Sequence, residues 1–434
     1  MPVETIEAPP MSHEAHHRAT FFRQSGWMMV ANIGGGMLMW AVHFLSHSTG
    51  PDEYGLFVAF LAVAMCIPTM PLQMVMAQQT AQNIALNREK QLAGMARLVL
   101  VGTFALWVIG VVLVVLFQNS IMARWGMSDP TPLWLIMPIL LFALWAPVFG
   151  GILQGQQNFF WLGWSMISNG IGRVLISTVA VLAFHGGAVG TLIGVMLGML
   201  INVVLAAWQS RHAWLAHSAP FNWWSLLRQV IPLMLGFAAF QFLFTADTMF
   251  AKSYFPKATV GFYGSAGTLS RALMWLVGPL ASVMFPRIVH STARAEKSNL
   301  MTLVLAGTAV LSILGVLGLS ILGPWAVQLM SGEGFVKVAS SLLPWYAGAM
   351  VPLALANVLL NNLLAKGSFR FVPALCLLAA GYGFAMTRFH ATPVMLLQTV
   401  GVCNLLLLVI CAVFTWLDKQ ADKPVAVDQP LRSA

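Results

Sequence analysis

Apolar runs of membrane-spanning length follow one another along nearly all of this 434-residue chain, separated only by short polar breaks. A bilayer core takes about 20 apolar residues per spanning helix. Only 8% of the residues are charged and the mean hydropathy is +0.81, against roughly 25% charged in soluble domains. Lipid is the solvent this composition implies, and no stretch remains for a sizeable soluble domain.

The runs predict spans near 25–46, 54–78, 96–117, 133–153, 160–184 and 187–208, then 226–251, 261–289, 299–322, 339–365, 370–388 and 391–417. The fifth and sixth are divided only by His185-Gly186-Gly187, and the eleventh is short. The expected fold is all-α and polytopic, with about twelve transmembrane helices in two six-helix bundles. Residues 25–208 form the first bundle and 226–417 the second, joined by a polar linker over 209–225 with Arg211, His212 and Pro220. Residues 1–24 lack the basic region and cleavage site of a signal peptide and are expected to be a flexible cytoplasmic tail, as are 418–434.

An even number of spans places both termini on one side, and basic residues mark the cytoplasmic one. The termini and the loops on their side carry fifteen Lys and Arg, the opposite loops five (Arg124, Lys252, Lys257, Lys337 and Arg388). Both termini are therefore expected to be cytoplasmic. The net charge of +9 belongs to this topology and not to nucleic-acid binding, because the basic residues are scattered among loops. Cys66, Cys376, Cys403 and Cys411 all lie in apolar runs and form no CxxC or disulfide framework.

A Tyr-Gly pair opens the second span (Tyr54-Gly55) and the eighth (Tyr263-Gly264), with Pro71 and Pro279 at matching distances beyond. Parallel repeats about an axis along the membrane normal are an established transporter plan, and the echo is read as such a repeat.

Charge inside a span costs at least about 2.5 to 3.5 kcal/mol and persists where it faces protein or water. Three residues qualify. Arg173 in the fifth span and Arg271 in the eighth each lie roughly 15 Å from the outer ends, near the midplane. They belong to different halves, so a cavity between the halves would receive two guanidinium groups at one depth, suited to a phosphate or pyrophosphate. The alternative is that each is a structural charge. Asp247, about one turn from the outer end of the seventh span, is either a proton- or sodium-coupling carboxylate or the ion-pair partner of Arg271. Gly34-Gly35-Gly36 and the prolines at 68, 71, 147, 279 and 352 serve close packing or a bending helix.

His13-Glu14-Ala15-His16-His17 satisfies the HExxH pattern of zinc proteases, but it lies in a polar tail without a third ligand or a protease domain, so no metal site is expected. No Walker A loop, Gly-rich dinucleotide turn or Ser/His/Asp set occurs, and no cofactor is expected.

Gly50-Pro51-Asp52-Glu53-Tyr54-Gly55 resembles the G-x-x-x-Y-G turn of bacterial polysaccharide and O-antigen flippases, in the multidrug/oligosaccharidyl-lipid/polysaccharide exporter superfamily. Gly151 to Phe159 resembles the family's LxGxxxF segment, and Asp247 followed by Val260 to Ala266 its seventh-span Asp and vGxYxxA turn. Leu364-Ala365-Lys366-Gly367 is similar to LxAxG at the end of the tenth span. The matches fall in order over residues 20–417. The resemblance implies a V-shaped two-lobe fold that moves a lipid-linked oligosaccharide from the inner to the outer leaflet of the bacterial inner membrane, without enzymatic chemistry. It also implies that Arg271 and Arg173 meet the pyrophosphate, and that a polysaccharide polymerase and glycosyltransferases are partners. The first span of such flippases carries a deep basic residue, whereas Arg23 sits at the edge of this one. A multidrug cation antiporter would want acidic residues in its cavity, a membrane polymerase or ligase a large polar outer loop, and a lipid II flippase fourteen spans.

Overall fold

The computed structural model describes residues 13–219, 223–274, 300–365 and 369–421. The order is α1 (His13–Ala41), a 3-10 turn (Val42–Leu45), α2 (Ser46–Met65), α3 (Thr69–Ala85), α4 (Glu89–Arg124), α5 (Thr131–Gly155), α6 (Phe159–Leu182) and α7 (Gly187–Gln209). After the short α8 (Arg211–Trp214) come α9 (Trp223–Tyr254), α10 (257–274), α11 (Leu300–Ser331), α12 (Glu333–Ala365), α13 (Val372–Arg388) and α14 (Pro393–Ala421). Every described element is helical, as lipid requires of a backbone that must bond within itself.

Nine stretches are long and apolar enough to cross a membrane among the described residues, and one of them, Gly26–Ala85, holds two of the expected spans. The chain folds back at Gly50, whose φ of 73° lies outside the helical range; the side chains of His43 and Tyr54 then meet at 2.8 Å. With the shorter α13 and with α10, which continues beyond the described residues, twelve helical crossings result. The later part of the eighth span with Pro279, the Lys366-Gly367 turn and residues 422–434 lie outside the described residues.

Two boundaries depart from the sequence expectation. First, α1 begins at His13, so the second half of the expected flexible tail is helical. Between Pro10 and Gly26 neither Pro nor Gly interrupts the chain. Second, the expected span 54–78 is two helices, broken over Cys66–Pro68. Pro68 takes φ −77° and ψ 82° and bars the helical conformation to the residue before it. The polar linker is tied to α4: Arg97 donates from Nε and Nη2 to the carbonyls of Trp214, Leu215 and Ala216 at 2.7 to 2.9 Å, and Ala219 N donates to Lys90 O. The slight break at His185-Gly186-Gly187 does turn the chain, with His185 and Gly187 both at φ 52°. Ahead of α5, the Thr131 hydroxyl and amide bond Asp129 Oδ1 at 2.7 and 2.9 Å and hold its carboxyl below the usual range.

In the first half α6 packs on α1 and α7, and α5 on α3 and α7; in the second, α12 packs on α11 and α14, and α13 on α9. The buried apolar residues separate into two cores. The larger unites the second half with Val42, Phe57, Leu133, Ile139, Leu192 and Val195, all from the first half's end nearest Gly50. The smaller, with Met76, Met95, Phe149, Ile152 and Val203, fills the opposite, Asn87 end of the first half alone, touched from the second half by the start of α9. The halves thus share a core at the Gly50 end and keep separate ones at the Asn87 end.

Between α6 and α7 the backbones nearly touch, and a Cβ on Gly198 would lie 2.7 Å from Asn169 O and 2.8 Å from Arg173 N. Backbone atoms cannot yield there as a side chain can. Gly198→Ala is expected to destabilise by about 1–3 kcal/mol, read as a lower thermal midpoint of the purified protein in detergent; an unchanged midpoint would mean the two helices are not in register at this glycine.

Candidate functional site

Arg271 projects from α10 onto one turn of α9. Its Nη2 donates to Asp247 Oδ1 at 2.6 Å and Thr248 Oγ1 at 2.9 Å, and its Nε to Phe244 O at 3.1 Å. Positions 244, 247 and 248 share a helix face, so a single guanidinium fork meets all three. The other carboxylate oxygen, Asp247 Oδ2, accepts from Tyr263 Oη at 2.7 Å and from Tyr346 Oη of α12. The guanidinium also lies 5.7 Å from the Phe244 ring centre and 5.4 Å from that of Tyr346, within cation-π range. Asp247 is 1% exposed and wholly committed: one carboxylate ties α9, α10 and α12 together.

Of the two sequence readings of Asp247, the ion pair is the one present in this geometry. The α9 helix runs on to Tyr254, which puts the carboxylate two turns from the helix end, about 10 Å, where one turn was expected.

Arg173 is in the opposite condition. It is buried in α6, with its backbone against Gly194 and Gly198 of α7. Its Nε has no hydrogen-bond partner, and among the described residues the only carboxylate ion-paired to any cation is Asp247. One turn earlier, Asn169 Oδ1 is likewise buried without a partner, while Nδ2 contacts Met39 Sδ of α1 at 3.6 Å. A buried charge without a counter-charge is among the most costly features a fold can carry.

His43, in the 3-10 turn, is 7% exposed. The His43 Nδ1 shares a hydrogen bond with Tyr54 Oη at 2.8 Å, and Tyr54 Oη another with Thr268 Oγ1 at 3.2 Å. Thr268 precedes Arg271 by one turn of α10.

Sequence reasoning did not single out His43, Thr268 or the tyrosine pair on Asp247. A signal was there: the chain has 27 Phe and 5 Tyr, so a tyrosine inside a span marks a hydroxyl that needs a partner in hydrocarbon. Tyr54, Tyr263, Tyr346 and Tyr382 are all buried, and the first three have such partners. Among the described residues no three His, Cys, Asp or Glu side chains gather as metal ligands would.

Removing Asp247 alone strands Arg271 in a buried site. Asp247→Leu is expected to lose about 3–5 kcal/mol, whereas Asp247→Leu/Arg271→Met loses much less. Thermal midpoints in detergent check this; a single variant as stable as the unsubstituted protein would mean the pair contributes nothing to the fold.

No curated protein sequence matches the chain. Among solved structures it is similar to an inward-facing multidrug resistance MATE family transporter of the MOP superfamily, with TM-score 0.73, 14% identity, and 92% of this chain and 99% of that one covered. It is similar as well to the lipid II flippase MurJ in an inward closed conformation, with TM-score 0.71, 14% identity, and coverage of 91% and 87%. A eukaryotic MATE transporter, AtDTX14, aligns with TM-score 0.59, 16% identity, and coverage of 92% and 98%. At such identities the likeness is one of fold, and the two-lobe helical architecture is the shared feature. The sequence profile of the polysaccharide biosynthesis protein family matches residues 21–292, more than half of the chain. With that match over residues 21–292 and its succession of apolar spans, the chain belongs to the polysaccharide biosynthesis protein family and is a multi-pass membrane protein with a fold like that of solved transporters and flippases.

Proposed function

We propose that the protein flips a polyprenyl-pyrophosphate-linked oligosaccharide across the bacterial inner membrane by alternating access, supplying assembly of a cell-surface polysaccharide such as O-antigen or exopolysaccharide. The observation that carries this reading is Arg173, buried with an orphaned Nε and, among the described residues, without a carboxylate partner. One uncompensated guanidinium and a second, in the other half, held by a single carboxylate call for an anion, and a pyrophosphate accepts several charge-assisted bonds at once. The Asn87 end, richer in Lys and Arg, faces the cytoplasm on this reading. There the headgroup enters between the halves while the lipid tail stays in the bilayer. A polymerase and glycosyltransferases would consume the cargo and supply it.

The rival cargo is a drug cation, as for the MATE relatives. Against it stands Asp247: it is the acid set deep in the described spans, and Arg271 and two tyrosines already occupy it. Nothing in that arrangement is left to attract a cation.

The expected result for Arg173→Ala, and for the double variant Arg271→Met/Asp247→Leu, which removes the second guanidinium without stranding its carboxylate, is a loss of surface polysaccharide by about tenfold or more, the equivalent of one charge-assisted bond, with the protein still inserted at normal amount. Immunoblots of membranes and of surface polysaccharide read both. Normal surface polysaccharide in the two variants would remove the anionic cargo from consideration.

A further inference from the structure

Where α2 crosses α10 the two halves meet backbone to backbone. A Cβ on Gly55 would lie 2.7 Å from Gly261 N and 3.0 Å from Lys257 O, and one on Gly261 only 2.0 Å from Pro51 O. One turn further on, a Cβ on Gly264 would meet Val58 Cγ2 at 2.4 Å. At Gly55 and Gly261 backbone rests directly on backbone, so no rotamer change makes room. Around this crossing every other bond between the halves is short and specific: Ser46 Oγ donates to Met330 O at 3.1 Å, His47 Nε2 lies 3.0 Å from Leu329 O, and Tyr54 Oη bridges His43 and Thr268.

The same helix that carries Gly261 and Gly264 carries Thr268 and Arg271. From Gly261 to Arg271 is ten residues, about 15 Å of rigid rod. A pull on Arg271 toward Arg173 in the other half cannot be absorbed within the helix. It turns α10 about the point where Gly261 rests on Pro51, and the first bond in its way is Tyr54 to Thr268.

We propose that the α2/α10 glycine crossing is the gate of the Gly50 end, and that the Tyr54 hydroxyl, held between His43 and Thr268, is the latch through which movement of Arg271 on α10 controls it. The inference rests on the alternating-access reading above and adds the control element of that same site. It explains why the Tyr-Gly pair recurs in both halves: the small residue lets two backbones meet, and the hydroxyl beside it fastens a polar group of the helix before. The gate is closed in the present arrangement, because the core shared by the halves lies at this end.

The test uses a chain in which Cys66, Cys376, Cys403 and Cys411 are replaced by Ala and Val58→Cys is the reporter. Val58 is 5% exposed beneath the crossing, so maleimide modification of the purified protein in detergent measures opening without any cargo. Slow modification is expected for the reporter alone. Gly261→Val should raise the rate by about tenfold or more and Tyr54→Phe by a smaller factor, as loss of one hydrogen bond allows. Tyr382→Phe, which removes a buried hydroxyl that bonds nothing, should leave the rate unchanged. If Gly261→Val does not yield folded protein, Tyr54→Phe decides alone, since it removes a single oxygen. Rates in Tyr54→Phe equal to the reporter's, or an equal rise in Tyr382→Phe, would overturn the latch. Because labelling needs no cargo, an opened gate together with normal surface polysaccharide in the arginine variants would sink the cargo reading and leave the gate standing.

Discussion

Hydrocarbon offers a carboxylate nothing to bond, and the second half of this molecule is organised around how Asp247 is satisfied. One oxygen takes Arg271 and the other takes Tyr263 and Tyr346, so helices α9, α10 and α12 meet at a single side chain. Apolar packing between membrane helices is weakly directional, since lipid tails compete for the same contacts. A buried ion pair with two further donors is directional, and it fixes the rotation of three helices at once. The arrangement also fixes Arg271, whose position on α10 then depends on the angle at which that helix crosses α2.

That dependence joins Arg271 to the packing at the Gly50 end. Close helix approach in membranes relies on small residues, and the α2/α10 crossing carries this to the limit of backbone contact at Gly55 and Gly261. The division of the apolar core follows from it. Residues of α2, α5 and α7 near that end join the core of the second half, whereas those near Asn87 form a core of their own. A body assembled in this way parts most readily at the Asn87 end, where little apolar surface must be exposed for the halves to separate.

Hydropathy made the helix count and the two six-helix halves legible, because lipid leaves the backbone no alternative. The three intramembrane charges were equally plain, since each is costly enough to stand out. Hydropathy is blind, however, to a break inside an apolar run, and so the second span read as one helix although Pro68 divides it. It is also blind to helix outside the bilayer, where the early start of α1 at His13 lay. The roles of His43 and the tyrosines were hidden for a different reason. Neither residue type is expensive enough in a span to attract notice, and their meaning lies in partners from other helices, such as Thr268, 214 residues from Tyr54.

The Tyr-Gly pairs of the two halves have unlike partners. In each half the tyrosine reaches back to a polar side chain near the end of the preceding helix: Tyr54 to His43, Tyr263 to Asp247. In the second half that side chain is a carboxylate, and it neutralises Arg271 beside it. In the first half it is an imidazole, and the residue that matches Arg271 in the repeat is Ala62, so the echo carries no ion pair there. Arg173 lies instead on α6 and, among the described residues, has no carboxylate partner. On the proposed reading, an anion drawn to Arg173 reaches Arg271 only by competing with Asp247, so engaging both arginines requires the clasp on α10 to give way.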